Sequence, residues 1–193
     1  MKVVGCDVGI KNLGLCMIDT ETNEIEHWHV LDVLGEKNAT KTSIEDCVRH
    51  VLIALEKLSW WGTLTEDDLV AIESQPVGRM ATGNIKCKCI SHAIQSFVQL
   101  QTAARCTFVN PKTKVGAEIL ASIGGVAGGG DDNVKKRYKI HKQAAVATVQ
   151  TMVNTDGKWA EWYNGLKKKD DAADAYLLAV VAQKSKKSKK RKR

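Results

Sequence analysis

Three short apolar segments at the start of the chain constrain the fold more than any other feature. They span residues 2–8, 13–18 and 25–31, and turn residues separate them at Gly9-Ile-Lys-Asn12 and Thr22-Asn23. Runs of this length that are rich in Val, Ile and Leu and bounded by turns predict β-strands. The connections are too short for crossover helices, so we expect the three strands to pair as an antiparallel meander.

The rest of the chain alternates between helical and strand patterns. Apolar residues at helical spacing predict a helix that begins after Ser43, and Ser43 with Asp46 resembles a capping box. We expect strands at 69–72 and 106–109, a glycine-rich loop at 124–133, and helices at 84–103, 112–122, 134–153 and 170–183. This order predicts an α/β fold in which helices flank a mixed sheet.

The positive charge of the chain is concentrated at its C-terminal end. The net charge is +7, but residues 184–193 read KSKKSKKRKR and hold eight Lys or Arg, so residues 1–183 carry −1. We therefore expect one globular domain, 1–183, and a basic disordered tail, 184–193. Such a tail attracts polyanions by counterion release, serves as a nuclear import signal, or is only a solvated end.

Several classes of protein are excluded or disfavoured. No run of about 18 apolar residues could span a membrane, and the N-terminus lacks the order of a secretory signal peptide. Six scattered cysteines favour reduced thiols inside a cell. Cys87-Lys-Cys89 has no second pair at zinc spacing, and His27 and His29 are typical of a strand surface. The glycines at 124–130 lack the Gly-Lys-Ser/Thr of a nucleotide-binding loop.

Four acidic residues stand where a sheet and a helix would present them together. Asp7 ends the first strand, and Glu73 follows the strand at 69–72. Asp171 and Asp174 are three residues apart, so they share one face of the last helix. Carboxylates gathered near a core repel each other, and Mg²⁺ or Mn²⁺ is their natural companion. Two such ions about 4 Å apart can hydrolyse a phosphodiester.

Each acidic residue also has an ordinary structural interpretation. Asp170 or Asp171 could cap the last helix, because acidic residues are favoured in a first turn. Asp7 could form a turn, and Glu73 could pair with Arg79. The order of a strand-end Asp, a strand-end Glu and a late helical Asp pair favours the metal site.

Basic residues accompany the acidic ones along the chain. A carboxylate site is negative, so a phosphate backbone needs cations around it. The candidates for DNA contacts are Lys112, Lys139, His141, Lys142 and Arg79. We expect Lys139, His141 or Lys142 to meet the scissile phosphate, and an ordinary solvated face is the alternative for such lysine runs.

Three motifs in this order resemble those of the RuvC-like Holliday junction resolvases. They are Asp7-Val-Gly-Ile-Lys-Asn-Leu-Gly, Ile72-Glu-Ser-Gln-Pro and Lys169-Asp-Asp-Ala-Ala-Asp-Ala. The first two are most similar to the branch found in poxviruses and other large DNA viruses, with mitochondrial relatives. The resemblance covers residues 1–183 and implies a ribonuclease-H-like fold and a homodimer.

The resemblance also implies an activity and a set of ligands. It implies a magnesium-dependent endonuclease that resolves four-way DNA junctions by paired, symmetrical nicks. Two Mg²⁺ ions per active site, for which Mn²⁺ would substitute, would be held by Asp7, Glu73, Asp171 and Asp174. Some relatives carry an aromatic wedge shortly after the Glu. Residues 74–80 contain no aromatic residue, so Pro76 or Met80 would have to open the junction.

Other functions remain open from the sequence. A ribonuclease-H-type enzyme acting on RNA–DNA hybrids would use the same carboxylates, and a monomer would favour it. A non-catalytic DNA-binding protein would bind through its tail. An actin-like or sugar-kinase ATPase needs two such domains and Thr or Ser where Ile10 stands.

The assembly and the compartment follow from the same features. We expect the helix at 84–103 to form the dimer interface, because its apolar face exceeds what one small sheet would cover. The tail suits either the nucleus or a viral replication site.

Overall fold

The computed structural model describes the backbone of residues 1–75, 82–110 and 131–190, and it leaves the side chains of 82–84, 131–141, 155–156 and 185–190 undescribed. The strands in these ranges are β1 (Lys2–Val8), β2 (Asn12–Asp19), β3 (Ile25–Asp32), β4 (Leu69–Glu73) and β5 (Arg105–Val109). The helices are α1 (Ile44–Glu56), a 3₁₀ helix (Ser59–Thr63), α2 (Thr82–Gln101), α3 (Asp131–Asp156), α4 (Ala160–Gly165) and α5 (Lys169–Lys190).

The described strands form one mixed sheet in the order β3-β2-β1-β4-β5. The first three pair as the predicted antiparallel meander, with Cys6 opposite Leu15 and Cys16 opposite Trp28. Strand β4 lies parallel to β1, with Cys6 opposite Ile72, and β5 lies parallel to β4. The predicted α/β class with a mixed sheet is confirmed.

Helices cover both faces of the sheet. On one face, alternate strand residues such as Val4 and Leu15 pack against α1, α2 and the 3₁₀ helix, where Trp60 and Trp61 are buried. On the other face, Val3, Cys16, Trp28 and other residues pack against α3, α4 and α5. Side chains along β1 alternate between the two faces of the sheet, so the apolar residues form two core layers, one on each face.

Helix α5 lies unusually close to β1 and β2. A Cβ atom on Gly5 would lie 2.7 Å from the amide nitrogen of Ala179, and one on Gly14 would overlap the carbonyl oxygen of Asp171. Only glycine fits where a backbone approaches this closely. The alanines of α5 complete the contact, because Ala172, Ala175 and Ala179 are fully buried.

The local signals for helix α1 work as the sequence predicts. The hydroxyl of Ser43 accepts a hydrogen bond from the amide of Asp46 at 3.0 Å. Cys47, Val51 and Leu55 recur on one face and are fully buried. This helix therefore closes one face of the sheet before the chain enters β4.

Two segments that were predicted to be non-helical are helical, and the 3₁₀ helix and α4 were not predicted. The helix predicted at 112–122 lies outside the described residues. Asp131, Asp132 and Asn133, which were predicted to lie in the glycine-rich loop, open helix α3, and residues 124–130 lie outside the described residues. Acidic residues and Asn are favoured at helix N-termini, so these three residues are a helix start signal. The prediction gave more weight to the glycines before them and extended the loop too far.

The second difference concerns the tail. Helix α5 continues to Lys190, so the backbone of 184–190 is helical where a disordered segment was predicted. Lys and Ser are not helix breakers, and a helix already nucleated by packing adds further residues at low cost. No helix in the described parts of the chain is both long and apolar enough to cross a membrane.

Candidate active site

The ends of β1 and β4 bring two of the predicted carboxylates together. Cys6 pairs with Ile72, so the next residue along each parallel strand is Asp7 and Glu73 respectively. Asp7 alternates onto the same face as Gly5, which contacts α5. Glu73 shares that face with Ala71, which is buried in the core layer of α5. Both carboxylates are half-buried on the face of the sheet that α5 covers.

Asp171 lies in the first turn of α5, against this edge of the sheet. Its Oδ2 accepts a hydrogen bond from Nδ2 of Asn12 at 3.0 Å. Burial, and then the charges of Asp170 and Asp7, raise the pKa of the Asp171 carboxyl above its ordinary value, against the opposing effect of Asn12. Asp7 and Asp171 are therefore electrostatic neighbours that repel each other.

The adjacent Asp170 has a different environment. Its Oδ2 lies 2.5 Å from Nζ of Lys142 on α3, in a half-exposed ion pair. Burial alone would raise the pKa of Asp170, but the hydrogen bond and charge of Lys142 outweigh it and hold that pKa below its ordinary value. The charge of Asp170 is thus neutralised locally.

Asp174 lies one turn further along α5 and is half-buried. Burial, followed by the charges of Asp170 and Asp174, raises the pKa of Tyr163 to about 12. Asp174 therefore lies within electrostatic reach of the Tyr163 phenol, on the side of α5 that faces α4.

Cys87 on α2 borders the site from the opposite layer. Burial, and then the charges of Glu73 and Asp7, raise the pKa of its thiol. Among the residues that the structure describes, no group of three or more His, Cys, Asp or Glu side chains is gathered closely enough to hold a metal ion. Asp7 thus neighbours Glu73 and Asp171, whereas Asp174 lies towards Tyr163, and these four described carboxylates do not form a closed coordination shell.

The predicted DNA-contacting residues are only partly placed. Lys142 lies beside the carboxylates through its ion pair with Asp170. Lys139 and His141 lie on the same helix, one turn or less before Lys142, with side chains outside the described set. Lys112 and Arg79 fall outside the described residues, as do the wedge candidates Pro76 and Met80.

A depression of about 420 Å³ opens between α3 and α5 beside Asp170. Lys142, Gln143, Lys169 and Asp170 line it together with apolar Val146 and other residues. Basic and amide side chains above an apolar floor suit a sugar–phosphate backbone.

Two residues of the site were not singled out from the sequence. Asn12 was quoted only as part of a motif, and nothing in its spacing pointed to Asp171, 159 positions away. The indole Nε1 of the fully buried Trp28 donates to the carbonyl of Ala172 at 3.0 Å. Trp28 and Asn12 thus bind the first turn of α5 from two strands.

Comparison with known proteins identifies the fold through structure rather than sequence. No protein-family model and no curated protein sequence matches the chain. Thermus thermophilus RuvC in complex with a Holliday junction substrate is 18% identical, with a TM-score of 0.54, and the match covers 97% of this chain and 96% of that one.

Two further solved structures extend this similarity to the viral and mitochondrial branches. The fowlpox virus Holliday junction resolvase is 19% identical, with a TM-score of 0.55 over 96% of this chain and 99% of that one. The yeast mitochondrial resolvase Ydc2 is 16% identical, with a TM-score of 0.54 over 94% and 77% of the two chains. The chain therefore has the ribonuclease-H-like α/β fold of the RuvC-like resolvases, as the sequence motifs predicted.

Proposed function

We propose that this protein is an endonuclease that resolves four-way DNA junctions. The observation that carries the proposal is the position of Asp7, which lies beside Glu73 through the register of β1 and β4 and within electrostatic reach of Asp171 at the start of α5. The fold that holds these residues is similar, over nearly the whole of this chain, to the folds of three junction resolvases.

The chemistry of the donor set fits divalent cations of the Mg²⁺ class. The four predicted ligands are carboxylates, and hard oxygen donors suit Mg²⁺ and Mn²⁺. Burial, and then the charges of Asp170 and Asp7, raise the pKa of Asp171, so a bound cation would stabilise its ionised form. Asp7, Glu73, Asp171 and Asp174 would hold two such ions, which supply an activated water and stabilise the leaving 3′ oxygen.

The protein's own contribution is placement and charge. Strands β1 and β4 hold Asp7 and Glu73 on a rigid sheet edge, and the packing of α5 holds Asp171 above them. Lys142 neutralises Asp170 and so keeps excess negative charge away from the approaching phosphate. The depression beside Lys142 and Lys169 would receive the adjoining DNA backbone.

The test is cleavage of a labelled four-way junction in Mg²⁺, with linear duplex and an RNA–DNA hybrid as parallel substrates. Asp171→Asn should abolish paired nicking of the junction and retain binding. Asp67→Asn, an exposed acid that precedes β4, is the matched control and should cut like wild type. Cutting of the hybrid instead would keep the active site and overturn the substrate. Tight binding without cleavage would favour an architectural DNA-binding protein.

Paired nicks require two active sites, so we propose that the protein acts as a homodimer. The sequence predicted the face of α2 as the interface, but Ile90, Ile94 and Val98 are fully buried in the protomer's own core. Outside that core, Ile85 and Leu100 of α2 are exposed, and Leu52, Ile53 and Phe97 line a groove between α1 and α2 together with charged residues. We assign the second copy to this groove.

Sedimentation of two variants tests the interface. Ile53 is 46% exposed in the groove, so Ile53→Asp should dissociate the dimer and leave the monomer folded. Ile85 is 54% exposed on α2 but does not line the groove, so Ile85→Asp is the matched control. Dissociation by Ile85→Asp alone would place the interface elsewhere on α2.

A further inference from the structure

Strand β2 contacts Asp171 twice, through a side chain and through its backbone. The carboxamide of Asn12 donates to Oδ2 of Asp171, and Gly14, two residues along, packs against the Asp171 carbonyl. Residues two apart on a strand point to the same face. Both contacts therefore come from one rigid strand and act on one residue.

The position of Asn12 is set by the sheet. Asn12 opens β2 and pairs with Asp32 of β3, while Asp7 on β1 pairs with Gly14. The turn before it is tight, because a Cβ on Gly9 would clash with the carbonyl of Asn12. Groups on a sheet are held more closely than groups on a loop.

The neighbouring carboxylates Asp170 and Asp171 have partners of opposite kinds. Lys142 brings a full positive charge to Asp170, whereas Asn12 brings a neutral amide to Asp171. An ionised carboxylate only accepts hydrogen bonds, so the amide NH₂ group must face it. A neutral donor orients a carboxylate without cancelling its charge, and that charge is what a cation requires.

We propose that Asn12 is a positioning residue that fixes Oδ2 of Asp171 and so orients this carboxylate to bind a divalent cation. Asp170, paired with Lys142, takes no part in binding the ion. This inference rests on the proposed function, because it assumes that Asp171 is a metal ligand. Partners that orient ligands in this way are typically worth about 10–100-fold in metal affinity.

Calorimetric titration of the DNA-free protein with Mn²⁺ tests the role without relying on cleavage. Asn12→Ala should weaken Mn²⁺ binding about tenfold. The Mg²⁺ concentration that gives half-maximal junction cleavage should rise by a similar factor, while the rate at saturating Mg²⁺ falls less. Asn12→Leu keeps nearly the same shape without the donor, and it should behave alike where the alanine variant folds poorly.

Asn154→Ala is the matched control. Asn154 is exposed on α3, and its replacement also removes an amide hydrogen bond, the one that Gln150 donates to it. It should bind Mn²⁺ like wild type. Wild-type Mn²⁺ affinity in a folded Asn12 variant, or a lower melting temperature with unchanged affinity, would overturn the inference. Asp171→Asn run in parallel separates the two proposals. If Asp171→Asn binds Mn²⁺ and cuts normally, the proposed metal site itself fails.

Discussion

Replacing Gly14 with alanine tests whether the close approach of α5 to β2 builds the carboxylate site. The added Cβ would overlap the carbonyl oxygen of Asp171 and lie 3.2 Å from the Cβ of Ala175. To restore an ordinary contact of 3.4 Å, the helix would have to retreat from the strand by about 1 Å. The atoms in conflict are mainly backbone, so no side chain can rotate away.

Two effects of this substitution have opposite signs, and their magnitudes decide the outcome. Alanine in place of glycine inside an element normally stabilises by about 0.5–1 kcal/mol. Overpacking a closely packed contact costs about 1–3 kcal/mol. We therefore expect a net loss of about 1–2 kcal/mol, which lowers the melting temperature by about 2–8 °C in a chain of this size.

The expected effect on catalysis is larger than the effect on stability. A displacement of about 1 Å in a catalytic group can cost about 100-fold in rate. Urea unfolding and single-turnover cleavage of a junction at saturating Mg²⁺ would measure the two effects separately.

Gly62→Ala is the control for this substitution, because a Cβ there meets no atom within 4 Å. It should leave both stability and cleavage close to wild type. A Gly14→Ala variant that is more stable than wild type and cuts at the normal rate would refute the reasoning. The smaller backbone entropy of alanine in the unfolded chain would then be the only effect of the substitution.

Three further predictions concern pH, the core and the tail. Burial, and then the charge of His27, lower the pKa of His29, so the folded state binds fewer protons than the unfolded chain. Stability should therefore fall as the pH drops below about 6.5, and in urea melts between pH 5 and 8 His29→Gln should flatten that slope. Trp28→Phe should lose about 1–2 kcal/mol in urea melts, because the hydrogen bond to Ala172 disappears; unchanged stability would contradict this. Deleting the tail, residues 184–193, should weaken junction binding and reduce its salt dependence. The chemical step should be spared, because α5 carries Lys190 about 28 Å from Asp171, beyond a Debye length of about 10 Å; a slower rate at saturating protein would contradict it.

Much of the fold could be predicted because its signals are local. Strand β1 covers the predicted residues 2–8, and β4 covers Leu69–Glu73, one residue beyond the predicted apolar run. Ser43 caps α1 as predicted. Strand alternation, helical spacing and capping each depend on residues a few positions apart, so the sequence displays them directly.

The sequence also placed Asp7 and Glu73 at strand ends, and the register of two parallel strands makes them neighbours. It could not say how the two aspartates that open α5 differ. Asp170 pairs with Lys142 from α3, and Asp171 is held by Asn12 from β2. Lys142 lies 28 positions from Asp170 along the chain, and Asn12 lies 159 positions from Asp171.

The sequence by itself therefore determined the five strands, most of the long helices and the strand ends at which Asp7 and Glu73 lie. The tertiary structure alone decided which carboxylate pairs with a lysine and which is bonded to a neutral amide. The physical reason is the packing distance between α5 and the sheet. Gly5 and Gly14 let two backbones touch, and that contact brings Asn12 within 3.0 Å of Asp171. This contact joins segments that are far apart in the sequence, so no local sequence pattern predicts it.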